Sequence, residues 1–149
     1  MRFYNREKEV KTLHTIENSS QTSSRKTIMV VSEGGIWKRT FFKNYPKKVY
    51  LFVSKKDEAL LCEEFKLIIE QSLDTKILGE FREFSKLFEY IMILAQSQSF
   101  TLIIDDIQEF TYINPSVFGA MQSIWDKYKN KTRLNLILCI DQLTYEKYC

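Results

Sequence analysis

The chain reads as an α/β protein, a small doubly wound parallel sheet of about four strands with helices on both faces, and three observations carry that reading. Largely apolar runs of strand length recur at 27–31, 48–53, 100–106 and 134–140. They suit strands buried on both faces, which parallel sheets covered by helices provide. Between them lie segments whose apolar residues recur at helical spacing, and strand followed by helix is the α/β rhythm. The third observation is that Phe100–Asp106 ends in two adjacent carboxylates, Asp105 and Asp106. That places charge at the C-terminal end of a buried strand, where open α/β sheets bind ligands. Carboxylates there suit a Walker B position, in which their oxygens hold a magnesium ion on a nucleotide's phosphates.

Taken in order, Asn5-Arg-Glu-Lys-Glu9 opens a short helix, with Asn5 as N-cap, Glu7 in the first turn and Val10 and Leu13 at helical spacing. The helix occupies residues 1–17. Residues 18–26 are polar and form a flexible connector. What precedes the connector is too small to fold alone, so residues 1–149 form one domain with its α/β core at 27–149.

Thr27–Val31 is the first strand, and it runs into Ser32-Glu-Gly-Gly-Ile-Trp-Lys-Arg-Thr40. Strand, glycine turn, lysine and then a helix is the layout of a P-loop. Such a loop works because glycines let backbone N–H groups curl round phosphates, the lysine reaches the outer phosphates, and the next hydroxyl holds magnesium. Gly34, Gly35 and Lys38 are the residues here that fit the task. With Lys38 as the lysine, Ser32 and Trp37 stand at the motif's glycines and Arg39 at its hydroxyl. Sliding by one residue recovers Thr40 as the hydroxyl but sets Glu33 and Lys38 at the glycine positions. Neither register gives an intact cradle.

Lys48–Val53 is the second strand, and Asp57–Ser72 follows as a helix with Leu61, Phe65, Ile68 and Ile69 on one stripe. Glu83–Gln96 is a further amphipathic helix, whose Phe84, Leu87, Phe88, Ile91, Leu94 and Ala95 are core positions. After the acidic strand, Asn114 offers an N-cap and Pro115 a first helical residue. That helix runs to Lys129 and buries Val117, Phe118, Met121, Ile124, Trp125 and Tyr128. Leu134–Ile140 is the fourth strand.

Composition bounds the function. With 149 residues, 44% of them hydrophobic, the chain holds enough apolar mass for one sizeable core. No apolar run reaches the roughly 20 residues needed to span a bilayer, and the N-terminus is too charged for a signal peptide. A cytoplasmic protein without a membrane partner is therefore expected. Cys62, Cys139 and Cys149 are odd in number and lack a Cys-x-x-Cys, which fits reduced thiols. The single His14 cannot make a metal site alone. A net charge of +3 does not by itself call for nucleic acid.

The order of elements and several local spellings resemble the prokaryotic, archaeal-type ATPase family of AAA-like P-loop proteins. The resemblance rests on Phe3-Tyr-Asn-Arg-Glu-Lys-Glu9, on Leu102-Ile-Ile-Asp-Asp-Ile-Gln-Glu109, on Asn114-Pro115 with Gln122 and Ile124-Trp-Asp126, and on Leu136-Ile-Leu-Cys139. It implies that Asn5 and Arg6 lie near a nucleotide base, that Lys38 is the P-loop lysine, that Asp105 is the magnesium-associated carboxylate, and that Asp106 stands at the catalytic position. The departures fall at the chemistry. Asp106 replaces the family's glutamate and is one methylene shorter, and positioning errors near 1 Å can cost on the order of 100-fold. Ile140-Asp141 stands where the family shows Gly-Ser, a polar sensor near the outer phosphate. The family also continues with a further strand, a lid and a C-terminal domain, so the chain reads as a truncated domain. The implied sheet order is Ile28, Leu136, Leu102, Leu51, and the missing fifth strand leaves the outer edge of the Ile28 strand for a second copy, a protein partner or the 1–26 segment.

Three functions are compatible with these residues. One is a pseudo-ATPase, a degenerate AAA-like domain that keeps the scaffold, needs no cofactor and serves as an interaction module. Another is an ATPase fragment that binds ATP and magnesium in an altered mode through Lys38, Arg39 and Asp105. The third is nucleic-acid binding through Arg25, Lys26, Lys38, Arg39, Lys43, Lys47 and Lys48, with Trp37 stacking on a base.

Overall fold

A computed structural model describes residues 27–32, 43 and 45–141. Strands β1 (Thr27–Ser32), β2 (Lys48–Phe52), β3 (Phe100–Asp105) and β4 (Leu134–Asp141) form one parallel sheet in the order β1-β4-β3-β2. The expected order holds, and β4 separates β1 from β3. Ile28 pairs with Ile137, Leu136 with Leu102, and Leu51 with Ile104. The N-terminal helix, the connector and the glycine turn lie outside the described residues.

Helices α1 (Glu58–Leu73), α2 (Phe84–Leu94) and α4 (Val117–Tyr128) form one layer, with α1 against β2 and α2, and α2 against α4. Beneath it, the sheet presents Val49 and Leu51, Leu102 and Ile104, and Leu136 and Leu138, all buried in the main apolar core. The two returns from β2 to β3 and from β3 to β4 step the same way across the sheet. With right-handed crossovers they put their helices on one face. The connection from β1 to β2 steps the other way, and most of it lies outside the described residues. The helices described therefore cover one face, and the segments expected on the other lie outside the described residues.

The opposite face begins with Tyr50 and Phe52, which are 37% and 45% exposed, and continues inward to the fully buried Ile103, Ile137 and Cys139. Strand β2 accordingly alternates between buried and exposed positions. That pattern belongs to an edge strand with one covered face, whereas β3 is buried at all six positions.

Local chemistry sets the helix ends. Asp57 is the N-cap of α1 and accepts a hydrogen bond from the Leu60 N–H at 2.9 Å. Asp74 closes α1 in the left-handed region at φ 49, with its N–H bonded to the Glu70 carbonyl. Glu83, at the N-cap of α2, makes no capping bond through its side chain. Glu58 serves instead: its Oε2 accepts from the Phe84 N–H at 2.7 Å and its Oε1 from the Asn114 side-chain amide at 2.9 Å. One carboxylate thus ties the start of α1 to the start of α2 and to the loop before α4.

The bond between Glu58 and Asn114 bears on where α4 begins. The Asn114-Pro115 pair does not open α4, because the helix starts at Val117 with Ser116 as its N-cap. Asn114 spends its amide on Glu58, and its carbonyl accepts the Val117 N–H at 3.0 Å in a preceding turn. Helix α4 fully buries Val117, Met121 and Trp125, while Phe118, Ile124 and Tyr128 are only partly covered.

Phe84 sits at the centre of the core, with ring centroids 5.7 Å from Phe65 edge-on and 5.0 Å from Phe110. Cys62 is buried on α1 in the same core and is a free thiol. Burial, reinforced by Glu58 and Glu83, pushes the Cys62 thiol up to about 12.

Two outcomes follow from this packing. Glu58→Ala should lower unfolding free energy by about 1–3 kcal/mol in urea, because it strands a buried helix N–H, with Glu58→Gln intermediate. The Cys62 contribution is fully present below the thiol's ordinary value near 9 and is lost as pH rises towards about 12, because the unfolded thiol ionises first. Urea midpoints of the reduced protein should therefore fall with pH in that window, and less steeply in Cys62→Ala.

Candidate functional site at the C-terminal end of the sheet

The acidic pair sits where the strand pattern placed it. Asp105 is the last residue of β3 and is 3% exposed, so its charge is held inside the structure. A buried carboxylate needs compensating hydrogen bonds. Its Oδ1 accepts the Asp106 N–H at 2.9 Å, and its Oδ2 accepts the phenol O–H of Tyr50. Tyr50 reaches it because β2 and β3 are parallel and in register: Phe52 pairs with Asp105, and Tyr50 lies two residues back on the same face. Burial, and then the bond to Asp105, push the Tyr50 phenol well above its usual range, so it stays a donor.

Asp106 adopts φ 54, ψ 40, in the left-handed region. Aspartate tolerates that region better than most residues. The turn aims the Asp106 N–H back at Asp105 and starts the short 3-10 turn Ile107–Glu109, where the Glu109 N–H bonds the Asp106 carbonyl at 3.0 Å. The turn leads into α3 (Phe110–Ile113), which inserts Phe110 into the core. Asp106 is partly exposed, unlike Asp105.

Strand β4 ends at Asp141, whose register partner is Ser32 at the end of β1. Ile104 pairs with Leu138, three residues earlier, so Asp141 falls at the C-terminal end of the sheet between Ser32 and the Asp105 strand. The topology therefore brings the end of β1, Asp141 and the Asp105-Asp106 pair to one sheet edge. Asn5, Arg6, Gly34, Gly35 and Lys38 lie outside the described residues. Tyr50 is the partner that the sequence reading missed. The only signal for it was the two-residue alternation along β2, which sets Tyr50 on the face away from Leu51.

Gly34, Gly35 and Lys38, which would complete a magnesium-nucleotide site with Asp105, lie outside the described residues. Both Asp105 oxygens already accept protein hydrogen bonds, and no group of three metal-ligating side chains converges among the described residues. Nor is any helix among them long and apolar enough to cross a membrane.

No protein-family model matches the chain, and no curated protein does. Among solved structures, the fold is similar to that in "Crystal structure of Cdc6p from Pyrobaculum aerophilum", with a TM-score of 0.56 at 14% identity over 99% of this chain. The chain spans 41% of that protein's length. The likeness shows a shared α/β fold, a parallel sheet with helices packed on it.

The site generates one stability outcome. Tyr50→Phe removes a donor to a buried charge and should lower unfolding free energy by about 1–2 kcal/mol, discounted because Tyr50 is partly exposed. Chemical denaturation at neutral pH reads this directly, and an unchanged midpoint would mean that the Tyr50 bond does not stabilise the carboxylate.

Proposed function

We propose that this chain is a P-loop ATPase-like domain with a degraded phosphate-binding loop, which binds Mg-ATP weakly or not at all and serves as an interaction module. The observation that carries the reading is the engagement of Asp105 by its own protein. The carboxylate at the magnesium-associated position is buried, and it accepts hydrogen bonds from Tyr50 and Asp106. Each of its oxygens already has a donor, so a metal would be left the remaining lone pairs of a buried group.

The loop residues point the same way. Trp37 at a glycine position blocks the approach of backbone N–H groups to phosphates, and Arg39 replaces a metal-binding hydroxyl with a cation that opposes the ion. By the resemblance, Asp141 stands where the family has a polar sensor residue, and a carboxylate in that role would repel an outer phosphate. Losing two or three contacts of a few kcal/mol each moves a micromolar site towards millimolar, since 1.4 kcal/mol is about tenfold.

The interaction role is supported by the sheet edge. Strand β1 pairs with β4 on one side, and among the described residues no strand pairs with its other side. An open edge invites pairing with a second copy or a protein partner.

Calorimetry with Mg-ATP should show no saturable heat at tens of micromolar. The triple change Ser32→Gly, Trp37→Gly, Arg39→Thr should recover measurable binding. Micromolar binding by the unaltered protein, abolished by Lys38→Ala, would overturn the reading in favour of a functional loop of altered spelling.

A further inference from the structure

The outward face of α1 carries a feature that the sheet-edge site does not use. The helix buries Leu61, Cys62, Phe65, Ile69 and Leu73, but leaves Leu60 and Leu67 outside at 49% and 60% exposure. They are seven residues apart, about two turns, and so stand in line along the helix surface. Single exposed leucines are ordinary. This pair is distinguished by what surrounds it.

Glu63 and Glu70 follow the leucines at three-residue spacing along one flank, and Glu64 follows Leu60 at four along the other. Two of these carboxylates are held in position: Glu64 pairs with Lys56, and Glu70 accepts the Ile77 N–H at 2.9 Å. Lys66 is the single cation of the helix, and it turns away to the Gly79 carbonyl. At its N-terminal end, α1 also borders an open cleft of about 730 Å³ where Lys55 and Lys56 stand with Asp57, Glu58, Glu109 and Tyr112. Tyr112 is 80% exposed and adds an aromatic surface there.

We propose that this face of α1 docks a basic amphipathic helix of a partner protein, with the partner's apolar side chains on Leu60 and Leu67 and its lysines or arginines facing Glu63 and Glu70. Charge selects the occupant. A nucleic acid or an anionic membrane surface is repelled by the carboxylate border. A second copy packed α1 on α1 about a two-fold axis sets like carboxylates against one another. A helix bearing an apolar stripe bordered by cations satisfies both the leucines and the border. The inference rests on the interaction-module reading and names its partner class, and it uses none of the nucleotide-site residues.

The test is fluorescence anisotropy with a labelled synthetic helix-forming peptide that carries leucines at seven-residue spacing bordered by lysines. Saturable binding is expected, weakened by added salt. It should fall about tenfold or more in the double variant Leu60→Ser/Leu67→Ser and in Glu63→Lys. These are exposed positions, and circular dichroism of each variant should match the parent. A peptide of the same composition in scrambled order should bind far more weakly. Absence of binding, equal binding of the scrambled peptide, or binding unchanged in the variants would overturn the proposal. So would self-association that the leucine variant abolishes. Mg-ATP calorimetry on the same proteins separates failure of this proposal from failure of the nucleotide reading, because neither variant touches the sheet edge.

Discussion

A strand paired on both sides and buried on both faces can place a charge only at its end, and β3 is such a strand. It lies between β4 and β2, and all six of its residues are buried, Asp105 included. An uncompensated carboxylate in that position would cost several kcal/mol. The local structure therefore has to supply donors, and the phenol of Tyr50 and the N–H of Asp106 do so. The left-handed backbone at Asp106 leads into the 3-10 turn Ile107–Glu109, which delivers Phe110 to the core. Register between β2 and β3 is constrained as well, since a one-residue slip would carry Tyr50 to the other face.

A second carboxylate organises the helical layer. Glu58 satisfies the first N–H of α2 and holds Asn114, and the aromatic cluster of Phe65, Phe84 and Phe110 packs in the same layer. The two carboxylates differ in kind. Glu58 joins elements that hydrophobic packing has already brought together, whereas Asp105 lies where the fold would otherwise present chemistry to a ligand. Tyr50 and Asp106 stabilise that carboxylate from within the chain, which is the physical basis of the proposal that scaffold and site have separated.

Much of the fold was legible in the sequence because burial writes itself as periodicity. The four strands and three long helices appear within a few residues of their expected limits, and the order β1-β4-β3-β2 matches that implied by the resemblance. What was not legible depends on contacts distant in sequence. Tyr50 and Asp105 are separated by 55 residues, and Glu58 and Asn114 by 56. Asn114-Pro115 spelled a helix start, but the bond to Glu58 outweighs the local preference, and Ser116 takes the cap position. The acidic pair was placed correctly at the strand end. Its burial and its tyrosine partner came from the neighbouring strand, which no local pattern reports.

Asp105 accepts hydrogen bonds from Tyr50 and Asp106, and the proposed function requires that Mg-ATP does not displace them. The most direct measurement follows the backbone amide resonance of Asp106, whose N–H donates to Asp105 Oδ1, while Mg-ATP is added up to about millimolar. The account predicts that this resonance stays in place, together with that of Val53, whose N–H bonds the Asp105 carbonyl. A saturable shift of both at micromolar Mg-ATP, absent with ATP in excess chelator, would contradict it.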